Sequence, residues 1–144
     1  MMDSDDPLAD VFVANVMTEP VETIDPGASA ATAARRLVES DIGSILAGAE
    51  SLPPDGILTE SDFVALAAEG RDPTTTTVEE WMSSPVITVS PSDSIGAAAR
   101  TMADRNVKKL PVVEPETAGL VGIVTTTDVA RYVPVHEFHP EETG

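Results

Sequence analysis

The sequence has no cysteine, so it holds neither a disulfide framework nor a thiolate for catalysis or metal binding. Lysine is nearly absent: Lys108 and Lys109 are the only two, beside six arginines. Aromatic residues make up 3% of the chain. No apolar run approaches the roughly 18 residues that a membrane-spanning helix needs. The first residues, MMDSDDPLAD, are acidic and unlike a secretory leader. A cytoplasmic protein with no membrane partner is the expectation. Positive charge is scarce throughout. Eight basic against 25 acidic side chains give a formal charge of −17 over 144 residues. Such a surface repels nucleic acid and anionic lipid, so direct nucleic-acid binding is not expected. Concentrated salt screens this self-repulsion over short distances. The composition therefore looks like that of a halophile's protein, with an ordinary acidic protein as the alternative.

What is present is an apolar share of 42%, enough for a packed core and against wholesale disorder. An internal repeat is present as well. The segment 17–26 (MTEPVETIDP) recurs as 82–91 (MSSPVITVSP), 65 positions on. The same spacing carries Ala33-Ala34-Arg35 onto Ala98-Ala99-Arg100 and Ile42 onto Val107. The string 56–62 (GILTESD) recurs as 122–128 (GIVTTTD) after one extra residue. Each half is too short to bury much surface alone, so the two are read as halves of one fold.

Each half reads as β-α-β-β-α, an α/β class. Short β-prone stretches at 21–24 and 86–89 are closed by Pro26 and Pro91. Helices follow over about 28–40 and 94–106, the second with Ser92 and Asp93 as candidate N-caps and a stripe of Ile95, Ala98, Ala99 and Met102. Apolar runs come next, weak at Ile42, Ile45 and Leu46 and stronger at Val107, Leu110, Val112 and Val113. Gly-Ile-Leu and Gly-Ile-Val then read as strands, and 62–68 and 128–132 as helices. The first repeat spans 12–68, a linker 69–77 and the second repeat 78–133, with tails at 1–11 and 134–144. Thr77 is the expected cap of a short helical entry at 78–82.

With these strings in place, the chain resembles a CBS-domain pair, or Bateman module. The carrying residues are Val-Met-Thr-Glu-Pro-Val (16–21), Trp-Met-Ser-Ser-Pro-Val (81–86), Val-Lys-Lys-Leu-Pro-Val-Val (107–113) and the two Gly-x-x-Thr-x-x-Asp strings. The resemblance covers residues 12–132. It implies two β-α-β-β-α units related by a pseudo-twofold axis, with two clefts between their sheets. It also implies dimerisation into a disc and a sensing rather than a catalytic role, with occupancy signalled to an unidentified regulated protein. No resident cofactor or metal is implied. The regulatory ligands it implies are AMP, ADP or ATP, with S-adenosylmethionine or NAD as alternatives.

The chemistry of the repeated string suits that use. A strand turning into a helix at Thr-x-x-Asp offers a hydroxyl and exposed helix N–H groups to a phosphate. The Asp can accept from ribose hydroxyls. The plainer reading is that Thr and Asp merely cap the helix. By the resemblance, one cleft uses Thr59 and Asp62, with Ile87 against the base and Val107, Lys108, Lys109 and Pro111 near the phosphates. The other uses Thr125 and Asp128, with Val21, Ile42, Gly43 and Ser44. The clefts are not equivalent: four of the eight basic residues lie between 100 and 109, and both lysines fall to the first cleft. The second is expected to have no cation and so to hold phosphates weakly, to prefer S-adenosylmethionine, or to stay empty.

The first repeat departs from the family pattern. Leu46 stands where the second repeat has Pro111, and the segment 46–55 lacks the strong Val/Ile run. This keeps open a structural module that has lost its ligand. His136 and His139 sit in an acidic, Pro-bounded tail and read as solvated rather than as a metal site. Trp81 reads as a core or interface anchor. Met17 and Met82 read as core or as residues of the cleft mouths.

Overall fold

The computed structural model describes residues 11–18, 21–50 and 52–132. His136 and His139 lie outside the described residues. A 3₁₀ turn at Val13–Asn15 opens the chain. The first half then runs β1 (Thr23–Ile24), α1 (Ala30–Ser40), β2 (Ser44–Ala47), β3 (Gly56–Thr59) and α2 (Glu60–Ala68). A short α3 (Val78–Trp81) leads into α4 (Ile95–Arg105), β4 (Lys109–Glu114), β5 (Gly119–Thr125) and α5 (Thr126–Ala130).

Helices α1 and α4 are built alike. Ser29 and Ser94 cap them, accepting from the N–H groups of Thr32 and Ala97 at 3.1 and 3.0 Å. The cap of α4 is thus Ser94 rather than Ser92 or Asp93. Asp93 is committed instead to the preceding turn, where its Oδ2 accepts from the Ser90 N–H at 2.9 Å. Ala30, Ala33 and Leu37 on α1, and Ile95, Ala98 and Met102 on α4, form buried stripes at helical spacing. Both helices end in a left-handed residue, Asp41 (φ 54°) and Asn106 (φ 56°). Asp and Asn tolerate that conformation. The reversal sends the chain straight into β2 or β4.

In the first half, β1 pairs parallel with β2, and β2 antiparallel with β3. Ile45, Leu46 and Ala47 are buried, so the weak apolar run makes a full central strand. In the second half the expected first strand at 86–89 shrinks to a single bridge between Val89 and Val112. Pro111 is the cause. In the first half the Leu46 N–H donates to the Glu22 carbonyl at 3.1 Å. Pro111 occupies the position equivalent to Leu46 and has no N–H to give to Ile87. The next bond survives in both halves, from Gly48 to the Ile24 carbonyl and from Val113 to the Val89 carbonyl.

Two cores result. Ile24, Ala33, Leu37, Ile45, Ala47, Leu58 and Val78 form the first, and Val13, Val89, Ala98, Met102, Leu110, Val112 and Val124 the second. Val13 therefore stands at the start of the first repeat in sequence but packs in the core of the second half. Residues 11–18 clasp that half through paired bonds between Thr18 and Ile123, at 2.8 and 3.1 Å. Residues 76–83 clasp the first half in the same way, through Ser83 and Ile57 at 2.9 and 3.0 Å. The methionines seat these clasps. Met82 lies against Gly56 and Met17 against Gly122, close enough that neither glycine has room for a side chain. Among the described residues, no helix is long and apolar enough to cross a membrane.

Candidate functional site

Each cleft forms where the strand-to-helix corner of one half meets the helix-to-strand corner of the other. At the first corner Thr59 caps α2. Its N–H and its hydroxyl both donate to Asp62 Oδ2, at 2.7 and 3.1 Å. The capping reading of this string is therefore correct as far as it goes, and it commits one carboxylate oxygen. Asp62 Oδ1 has no hydrogen-bond partner among the described residues. Trp81 steadies the same turn: its indole Nε1–H donates to the Asp62 carbonyl at 2.7 Å, while the Arg71 guanidinium stands 5.0 Å over its ring. Trp81 is thus half-buried against α2, behind the cleft.

The larger cleft encloses about 320 Å³ and is lined by Ile57, Thr59, Ser61, Asp62, Ser83, Asn106, Val107, Lys108 and Lys109. Five of the predicted residues meet here: Thr59, Asp62, Val107, Lys108 and Lys109. Ile87 and Pro111 do not line it. Ile87 packs against the second core, and Pro111 is buried within β4. Ile57, Ser61, Ser83 and Asn106 were missed. The repeat itself carries the signal for three of them, because Ile123, Thr18 and Asp41 take the matching places in the smaller cleft. Neither lysine's ammonium group has an ion pair or hydrogen bond with a described residue.

The smaller cleft encloses about 180 Å³ and is lined by Thr18, Val21, Glu22, Asp41, Ile42, Gly43, Ser44, Lys109, Ile123 and Thr125. Val21, Ile42, Gly43, Ser44 and Thr125 meet as expected. Asp128 does not line it. Its Oδ2 accepts from the Thr125 N–H at 2.9 Å, Arg131 stands 3.9 Å from Oδ1, and the residue is only 7% exposed. The expectation that this cleft has no cation is also wrong. Lys109 reaches across from the first residue of β4 and belongs to both walls. Sequence position assigned it to one side, but the two corners are near enough for one lysine to serve both.

A wider hollow of about 420 Å³ opens beside Arg36 and the turn after β2, with Val21 the one predicted residue on its wall. Its cation is already committed: Arg36 Nη1 donates to Glu22 Oε1 at 3.1 Å and to the Thr23 carbonyl at 3.0 Å. The larger cleft, with two uncommitted ammonium groups, a helix N-terminus and a half-free carboxylate, is the better equipped for a polar ligand.

Known proteins agree with this architecture. The CBS domain family matches twice, over residues 13–69 and 78–135. An uncharacterized protein of Methanopyrus kandleri is 34% identical over 125 residues, which cover 86% of this chain. The chain spans 63% of that relative's length. A hexameric CBS-CP12 protein from bloom-forming cyanobacteria superimposes with a TM-score of 0.78 at 30% identity, over 90% of this chain and 75% of that one. A CBS domain pair solved with 5′-methylthioadenosine and S-adenosyl-L-methionine superimposes with a TM-score of 0.73 at 28% identity, over 84% and 94%. The doubled match, the repeat and the two cross-half clefts lead to one conclusion: the chain belongs to the CBS domain family, as a pair of CBS repeats forming one Bateman module.

Proposed function

We propose that the chain is a regulatory module that senses an adenosine-containing nucleotide in its larger cleft and signals occupancy to a partner protein. The observation that carries this is the meeting of Thr59, Asp62, Lys108 and Lys109 around one cavity of about 320 Å³. That volume falls in the range of small-molecule sites, about 300–1,000 Å³, whereas the smaller cleft falls below it. Ile57 and Val107 offer apolar surface to the base. Asp62 Oδ1 accepts from a ribose hydroxyl. The first N–H groups of α2 and the two ammonium groups face the phosphates. The ligand bridges the two halves, so it stabilises the arrangement in which their corners are apposed and shifts the population toward it. The module senses rather than catalyses.

The likeness to the pair solved with S-adenosyl-L-methionine favours a second occupant. The smaller cleft, with Glu22 and Asp41 on its wall, suits a ligand whose tail is not an anion. Self-association into a homodimer is part of the reading. It is supported by the hexameric relative and by an apolar hollow of about 440 Å³ between α4 and α5, lined by Ala99, Met102, Ala103, Val129 and Ala130 among others.

Calorimetry and thermal-shift titrations of AMP, ADP, ATP, NAD and S-adenosylmethionine in molar KCl test the reading. ADP or ATP is expected to bind and to raise Tm. The pair Lys108→Ala with Lys109→Ala is expected to lower ADP or ATP affinity at least tenfold, about 1.4 kcal/mol. Unchanged affinity in that variant removes the phosphate assignment. No stabilisation by any of the five ligands favours a structural module without ligand.

A further inference from the structure

We infer that the two clefts share a single cation, Lys109, and therefore compete for negatively charged ligands. The inference rests on the reading of the larger cleft as a phosphate-binding site and adds a rule for how the two clefts communicate. Lys109 lines both clefts, whereas Lys108 lines only the larger. In β4 it stands opposite Thr125, a residue of the smaller cleft. Its ammonium lies over Gly43: a Cβ placed on that glycine would come within 3.1 Å of Nζ and 3.4 Å of Glu60 Oε1. No ion pair with a described residue fixes it there. Its flexible four-carbon stem leaves the charge free to swing between the walls.

The repeat explains why sharing arises. Sixty-five positions before Lys108 and Lys109 the chain has Gly43 and Ser44, so one corner carries two cations and its mate none. The other charged residues on the smaller cleft's wall are Glu22, already paired with Arg36, and Asp41. When a phosphate in the larger cleft draws the Lys109 ammonium to itself, the smaller cleft loses the cation on its wall, keeps the Asp41 carboxylate there, and disfavours a second anion. The chain then takes one polyphosphate nucleotide. The second occupant, where there is one, is a nucleoside with a neutral or cationic tail.

Gly43 makes the sharing testable from outside the larger cleft. Its backbone is not in the left-handed region, so alanine fits there, and the new methyl group crowds only flexible side-chain ends, chiefly Lys109 Nζ. ADP binding is measured by calorimetry on the full-length chain, on Gly43→Ala, on Lys109→Met and on the double variant, each checked for an unchanged circular-dichroism melt. The wild type is expected to bind one ADP per chain. Lys109→Met weakens it at least fivefold. Gly43→Ala displaces the ammonium toward the larger cleft and tightens ADP at least twofold, a gain that vanishes in the Lys109→Met background. A silent Gly43→Ala, an equal effect in both backgrounds, or two ADP per chain of like affinity overturns the sharing while leaving the larger cleft a phosphate site. Absence of ADP binding, or a Lys109→Met protein that binds like the wild type, overturns the phosphate reading and the sharing together.

Discussion

Gly56→Ala probes the clasp that joins the linker to the first half. A Cβ at residue 56 would overlap Met82 Sδ and lie 2.5 Å from its Cγ and 3.0 Å from its Cβ. Ordinary contact is about 3.5–4.0 Å, so Met82 has to retreat by well over an ångström. It has little freedom to do so. The Met82 N–H donates to the Val78 carbonyl at 2.8 Å, and the next residue, Ser83, is tied to Ile57 by two backbone bonds. Overpacking of this kind costs about 1–3 kcal/mol. The gain from a stiffer unfolded chain offsets about 0.4–1 kcal/mol of it, because residue 56 does not need a positive φ. The net loss is about 1–2 kcal/mol. At the roughly 3–4 °C per kcal/mol expected for a domain of this size, Tm falls by about 3–8 °C. Scanning calorimetry in molar KCl measures it. Adding Met82→Ala is expected to relieve the strain, with a coupling of at least about 1 kcal/mol across the double-mutant cycle. Because Ser83 lines the larger cleft, ADP affinity should fall in the single variant. A Gly56→Ala protein that melts at or above the wild-type temperature refutes the packing argument.

Three further outcomes follow from the same geometry. Trp81→Phe removes the 2.7 Å bond to the Asp62 carbonyl, and denaturant unfolding should show a loss of about 1 kcal/mol with ADP affinity reduced severalfold; unchanged values for both would show that the indole does not steady the cleft. Asp62→Ala should strongly weaken ADP and ATP binding in the larger cleft, whereas Asp128→Ala, whose carboxylate is folded back on its own helix, should cost about 0.5–2 kcal/mol of stability and spare ADP; equal loss of ADP binding in the two would contradict the placement of Asp128. The Thr77 backbone N–H bonded to Glu80 holds that carboxyl below the usual glutamate range, helped by the Thr77 hydroxyl. A depressed folded value means a contribution present above the unfolded pKa of about 4.3 and lost as pH falls below it. The protection factor of the Thr77 amide, its exchange rate relative to the intrinsic one, should therefore fall on acidification, less so in Glu80→Gln, and an identical profile in that variant would show that another group is responsible.

Much of the fold was legible because it is written twice. The stripes of α1 and α4, the two hairpins and the paired Thr-x-x-Asp corners all follow from apolar period and cap chemistry, which are local in the chain. The shortfall of the second half's first strand was legible as well, in principle, since Pro111 declares its missing N–H. The cleft walls were less so. Thr59, Asp62, Lys108 and Lys109 stand in strings whose chemistry is evident, but Ser83 and Asn106 become wall residues only because residues 76–83 and the turn after α4 are carried to the opposite corner. Ile87 and Pro111 look as favourable in sequence, yet the pleat and the core claim them.

The sequence by itself determined the repeat, the α/β character and the scarcity of positive charge outside 100–109. These depend on residue type and spacing along one strand or helix. Only the tertiary structure decided which half each segment completes, with Val13 crossing to the far core. Only it decided that Asp62 keeps an open oxygen while Asp128 is folded away, and that one lysine stands between two clefts. Those outcomes depend on distances between residues far apart in the chain, and local propensity does not encode such distances.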